Sequence, residues 1–171
     1  MTVGWGGNRQ IPAWYNIFEG GTNGPEDSEG IAHTAEYVRH IIRKEASVLS
    51  GGTERVVIGG FSQGSAVSLY TSLSHERPLA GVIALSGYLV GRPPVTEAGR
   101  NMRILMCHGE SDNVVPYSRA LLSLEIIRNE LKARGVDFRS YKGLRHSLNP
   151  EEWQDIVNFL REVIPSSELD F

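Results

Sequence analysis

Residues 55–74 read Arg-Val-Val-Ile-Gly-Gly-Phe-Ser-Gln-Gly-Ser-Ala-Val-Ser-Leu-Tyr-Thr-Ser-Leu-Ser. Arg55 to Gly60 is a short, apolar, β-branched run with no alternation, the pattern of a strand buried on both faces of a parallel sheet. Ser65 to Ser74 has helical spacing, with Ala66, Leu69, Tyr70 and Leu73 as its expected apolar face. Between them lies Gly60-Phe61-Ser62-Gln63-Gly64, a G-x-S-x-G. Set between a strand and a helix, that pentapeptide holds its serine on a tight turn with the hydroxyl lifted above the sheet, and small residues let the turn close. A glycine-rich βα turn with no chemical role would read the same way, so the motif needs partners elsewhere.

The rest of the chain repeats the alternation. Ala80 to Leu85 and Arg103 to Cys107 are two more buried runs, and Val136 to Lys142 alternates as a strand near a sheet edge does. Before the first strand, Ile31, Ala35, Val38 and Ile42 fall on one helical face, with Ser28 as N-cap, Glu29 in the first turn and Gly51-Gly52 as the stop. Pro116 suits the first position of a helix carrying Ala120, Leu121, Leu124, Ile127 and Leu131, closed by Gly135. Asn149-Pro150-Glu151-Glu152 offers an N-cap, an N1 proline and an N3 glutamate. Trp153, Ile156, Val157, Leu160 and Ile164 then recur at helical spacing until Pro165. Residues 1–29 have no period and read mostly as loop, and Gly91 to Arg100 reads as loop. The sum is one α/β domain over 1–171, a mostly parallel sheet with helices on both faces.

Composition narrows the function. A net charge of −3, from 17 basic and 20 acidic residues among 171, argues against a nucleic-acid binder that works by bulk charge. The uncharged stretch Pro78 to Gly91 is too short and polar to span a bilayer. The single cysteine, Cys107, excludes an internal disulfide framework and a cysteine-rich zinc site. With no basic and apolar leader at Met1, the expectation is a cytoplasmic protein. Phosphate-loop, dinucleotide, H-E-x-x-H and EF-hand patterns are absent, so no metal or nucleotide cofactor is implied.

Ligands of such sheets sit at the carboxyl ends of the strands. After the third strand comes Cys107-His-Gly-Glu-Ser-Asp112, and after the fourth Lys142-Gly-Leu-Arg-His146-Ser147. A serine hydroxyl needs a base to become a nucleophile, and the base needs an orienting acid. In α/β-hydrolases these come after the serine in the order acid, then histidine. Asp112 and His146 meet that order and that placement. Asp112 could instead be a turn acid or cap, and His146 a plain loop histidine. Glu110 is a rival acid; His108 is a rival base, but its place directly at the strand end favours a structural role. Cys107, inside an apolar strand, reads as a buried hydrophobe rather than a nucleophile.

Gly-Gly-Phe-Ser62-Gln-Gly, His-Gly-Glu-Ser-Asp112-Asn-Val-Val-Pro and Gly-Leu-Arg-His146-Ser strongly resemble the acyl-protein thioesterase and carboxylesterase family of α/β-hydrolases. Ile11-Pro-Ala-Trp-Tyr-Asn-Ile17 and Ala84-Leu-Ser-Gly-Tyr-Leu89 resemble family segments as well. The likeness runs from about residue 2 to about 164. It implies Ser62 as nucleophile, Asp112 as orienting acid, His146 as base and the Gln63 backbone N–H as an oxyanion donor. It also implies acylated proteins, lysophospholipids or small esters as substrates. Ser65 stands where the family often has glycine. Family members open with a strand and a His-Gly-x-Gly segment that supplies a second oxyanion donor. This sequence resembles the carboxyl-terminal three quarters of a family member, beyond that segment, so the expected domain is an amino-terminally truncated one. The expectation is a serine hydrolase of esters or thioesters, slow with one oxyanion donor unless Gly4 to Gly7 lend another, and prone to self-association through an open edge at Val56-Val57-Ile58. The competing expectation is a catalytically impaired relative, or a shortened gene product, that binds lipid or a partner.

Overall fold

In the computed structural model, residues 2–3, 9–10 and 12–164 are described. Four strands form one parallel sheet: β3 (Val57–Phe61), β4 (Gly81–Leu85), β5 (Arg103–Gly109) and β6 (Gly135–Tyr141), in the spatial order β3-β4-β5-β6. A separate antiparallel pair joins β1 (Thr2–Val3) to β2 (Arg9–Gln10). The helices are α1 (Ser28–Ala46), α2 (Gln63–Leu73), α3 (Glu97–Arg100), α4 (Tyr117–Glu125) and α5 (Pro150–Val163).

Side chains alternate across the sheet, and the two sets reach different helices. Val82, Ala84, Ile104 and Met106 pack with Ile42 of α1 and Leu69 and Leu73 of α2. Ile83, Leu85, Leu105 and Cys107 pack with Ile156 and Phe159 of α5. Both faces of β4 and β5 are therefore apolar, which is why these strands read as continuous runs. β6 sits at an edge as its alternation predicts.

Several boundaries differ from the sequence reading. The amino-terminal 29 residues are not all loop: besides β1 and β2 they hold a 3₁₀ turn, Gly21–Asn23, and an antiparallel bridge between Ile17 and Glu26. Two-residue strands are too short for any period to register. Asp27, not Ser28, caps α1; its Oδ1 accepts the Gly30 N–H at 2.9 Å. That helix stops at Ala46, and Gly51-Gly52 instead opens a 3₁₀ turn over Gly52–Arg55, which takes Arg55 out of the strand. α2 starts two residues earlier than its spacing suggests, directly after Ser62, and every residue from Ser65 to Leu73 is buried, not one face only. The expected loop at 91–100 contains α3, capped by Thr96. Pro116 is the N-cap of α4 rather than its first residue, and the helix continues as a π turn over Ile126–Glu130.

Asn149 caps α5 as expected, accepting the Glu152 N–H at 2.8 Å. The reciprocal half of that capping box is not well formed, and both Glu152 oxygens are buried without a hydrogen bond. Burial raises the Glu152 carboxyl to about 7. Trp153 is 60% exposed and does not belong to the apolar stripe of α5. Pro165 lies outside the described residues, as do Gly4, Gly6 and Gly7.

Candidate active site

The turn after β3 is built by its two glycines. A Cβ on Gly60 would lie 2.2 Å from the Gly64 carbonyl carbon, so the chain can fold back here only without a side chain. Ser62 sits at the apex with φ 56° and ψ −117°, a conformation that non-glycine residues avoid and that clusters at functional sites. The turn is held from below: the Ser62 N–H donates to Leu85 O at 2.9 Å, continuing the ladder with β4. Ser62 O accepts the Ser65 and Ala66 N–H groups, closing the first turn of α2. Gln63 opens that helix, so its N–H belongs to the set with no acceptor inside the helix.

β5 runs two residues past the expected Cys107 and delivers the next loop. The Asp112 side chain is fully buried. Its Oδ1 accepts the Val114 and Val115 N–H groups at 2.8 and 2.9 Å, and its Oδ2 lies 2.7 Å from His146 Nδ1. A carboxylate at Nδ1 holds the proton there and leaves Nε2 as the basic nitrogen. The His146 ring also packs against Phe61, the residue before Ser62, with centroids 4.6 Å apart and the planes tilted by 49°. Asp112 and His146 are thus paired, and the imidazole is seated against the strand end that carries Ser62. Ser62 Oγ itself has no hydrogen bond among the described residues; in unliganded sites the nucleophile–base bond is often long and tightens with substrate.

The rivals take other places. Glu110 is exposed and accepts from the Ser140 hydroxyl at 2.9 Å. His108 is 1% exposed, with Nε2 at 2.9 Å from Val115 O and 3.5 Å from Asp112 Oδ2. Burial lowers its pKa, which keeps it neutral as an N–H donor to Val115 O. It therefore supports the loop that presents the Asp112 carboxylate. Burial also pushes the Cys107 thiol up to about 12, too high for a nucleophile at neutral pH.

Beside Ser62 opens a cavity of about 440 Å³, lined mainly by apolar side chains including Tyr15, Ile17, Tyr88 and Val115. The sequence reading did not find its outer wall. Gln63 builds it with its side chain: Oε1 accepts the Trp14 N–H and Nε2 donates to Tyr15 O, both at 3.1 Å. Asp27 adds a second tie, its Oδ2 accepting the Asn16 N–H and side-chain amide at 2.7 Å. The one signal available was the aromatic run at Trp14-Tyr15, in a stretch without a period.

Residues 1–164 match the family described as Phospholipase/Carboxylesterase. The chain belongs to that family. Among curated relatives it is 35% identical over 170 residues to acyl-protein thioesterase 1 of Mycosarcoma maydis, covering 91% of this chain and 71% of that protein. It is 36% identical over 160 residues to acyl-protein thioesterase 1 of Yarrowia lipolytica, covering 91% and 70%. Among solved structures, Arabidopsis thaliana SOBER1 superposes with a TM-score of 0.86 at 25% identity, over 95% of this chain and 79% of that one. Acyl-protein thioesterase 2 of Zea mays superposes at 0.80 with 23% identity, over 95% and 77%, a likeness of fold. The family membership makes this chain a hydrolase of the esterase and thioesterase kind on an α/β-hydrolase fold. No described helix is long and apolar enough to cross a membrane.

Proposed function

We propose that this protein hydrolyses carboxylic thioesters or esters through an acyl-enzyme on Ser62. The observation that supports this most is the Asp112–His146 pair at 2.7 Å, its carboxylate fully buried, seated through Phe61 against the strained turn that presents Ser62. In this reading His146 Nε2 takes the proton of Ser62 as Oγ attacks the acyl carbonyl. The carbonyl oxygen becomes an oxyanion that accepts from the Gln63 N–H at the start of α2. As the tetrahedral adduct collapses, His146 returns the proton to the departing thiolate or alkoxide. Water then gives one proton to His146 as it attacks the Ser62 ester; when this second adduct collapses, the bond to Oγ breaks, His146 returns the proton to Ser62 Oγ, and the carboxylic acid leaves. Asp112 holds the productive tautomer throughout and stabilises the imidazolium that forms.

The apolar cavity beside Ser62 suits an acyl chain. Together with the relatives named acyl-protein thioesterase 1, it favours acylated proteins as substrates, with lysophospholipids and small esters as alternatives. A cytoplasmic site of action is part of the same reading, since the one cysteine is buried and unpaired. The test is turnover of matched thioesters and oxyesters of several chain lengths by the parent and by Ser62→Ala. Turnover confined to the parent supports the reading. A chain that binds these substrates and turns none over is instead the non-catalytic relative.

A further inference from the structure

A second, smaller cleft of about 220 Å³, lined by Leu89, Leu122 and Ile126 and by the exposed Glu26 and Arg92, shares three stretches of chain with the cavity beside Ser62. Each stretch gives a residue to either side. Ile17 lines the first cavity and is bridged to Glu26, which lines the second. Tyr88 lines the first, and its neighbour Leu89 the second. Pro116 lines the first, and Arg119, three residues on at the start of α4, the second.

Where they meet, the partition is one ring and one guanidinium thick. Arg119 Cζ stands 4.7 Å from the centroid of the Tyr88 ring. The guanidinium is tied down by Glu26, with Arg119 Nη2 at 3.3 Å from Glu26 Oε1, and Glu26 Oε2 accepts the Gly91 N–H at 2.8 Å. Tyr88 also meets the Tyr15 hydroxyl on one side and Arg119 on the other, so hydroxyls, ring and guanidinium are held together across the partition.

We propose that Tyr88, Arg119 and Glu26 form a stop that sets the longest acyl chain the enzyme accepts. This rests on the reading of the first cavity as the acyl site. A chain entering from Ser62 lays its methylenes along the apolar wall and meets the Tyr88 ring, with the Arg119 charge behind it. A methylene fills about the space of a water molecule in the liquid, ~30 Å³. On that scale the second cavity has room for several more such groups. Each methylene that gains an apolar berth improves kcat/KM by about fourfold, while one pressed against the guanidinium gains nothing.

The test uses the full chain and acyl thioesters of even length from four to twenty carbons. Arg119→Ala and Tyr88→Leu each remove half of the wall, and Arg119→Lys keeps a cation over the ring. The expected result is that the parent shows a maximum followed by a fall. Arg119→Ala and Tyr88→Leu move that maximum to longer chains and raise the ratio of longest-chain to mid-chain kcat/KM at least tenfold, and Arg119→Lys keeps the parent's maximum. The same lengths offered as methyl esters to Ser62→Ala chains, with and without the wall substitutions, give a binding cut-off that needs no turnover. A parent that turns over nothing removes the catalytic reading, and the binding cut-off still judges the stop. Unchanged cut-offs in both wall variants, with short-chain binding retained as proof of folding, overturn the proposal. If one variant fails to bind even short chains, the other decides.

Discussion

Replacing Asp112 by asparagine changes one atom and should cost nearly all activity. The carboxylate is fully buried and has three contacts that all need an acceptor: two backbone N–H groups on Oδ1 and His146 Nδ1–H on Oδ2. An asparagine offers one acceptor oxygen. If that oxygen stays with Val114 and Val115, the amide NH₂ faces His146 and forces the tautomer with the proton on Nε2, which is no longer a base toward Ser62. If the amide turns round, its NH₂ meets two N–H donors with no acceptor between them. The first arrangement loses the base and the second sets donor against donor in the loop that holds it; the analogous change in a serine protease lowers kcat by about 10⁴, equivalent to about 5.5 kcal/mol. The assay is kcat on a thioester that the parent turns over, with circular dichroism and thermal unfolding to show that the variant is folded. Glu110→Gln is the paired control; the Glu110 side chain is exposed and accepts from the Ser140 hydroxyl, away from His146, so its loss should be under about twofold. An Asp112→Asn enzyme within tenfold of the parent, or a Glu110→Gln enzyme damaged as badly, would show that the acid is misassigned.

Three further outcomes rest on particular contacts. Gly60→Ala puts a Cβ 2.2 Å from backbone that has no room to yield; displacing the turn by about 1 Å should slow turnover by roughly 10² and lower the unfolding midpoint, and a variant equal to the parent in both would refute the steric role. Glu152 is raised by burial from 4.5 to about 7, so its contribution to stability is full below the unfolded value and is lost as pH rises through about 7, with a ceiling of about 3 kcal/mol. Urea unfolding from pH 5 to 8 should therefore show Glu152→Gln gaining on the parent as pH rises, whereas a constant gap would mean that the carboxyl is not perturbed in the folded state. Among the described residues β3 pairs only with β4, leaving one long edge of an apolar strand open to a second copy; sedimentation should show self-association, and a monomer at tens of micromolar would refute it.

The sheet was legible because burial on both faces writes itself as unbroken apolar runs, and Val82 to Leu85 and Ile104 to Cys107 do face two different cores. Asp112 and His146 were legible because chain order and strand ends constrain them together, and they do pair. What failed to show was set by contacts distant in sequence. Gln63 reads as a helix-start residue, and nothing local says that its side chain binds the backbone of Trp14 and Tyr15, 49 and 48 positions away. Asp27 outcompetes Ser28 as a cap because it also anchors Asn16. His108, by contrast, reads as structural from its place at the strand end, and the pairing of β5 with β6, which continues through His108 and Gly109, buries it. Trp153 has the spacing of a core residue and lies in solvent, since spacing selects a face and not how far the core extends under it.

Labelling with an acyl fluorophosphonate, with peptide mapping of the product, bears most directly on Ser62 as the bond-forming atom. The probe should form one stoichiometric adduct on the peptide containing Ser62, with none on a folded Ser62→Ala chain and a rate strongly reduced in His146→Ala. An adduct on another residue, or equal labelling of the parent and Ser62→Ala, would contradict it.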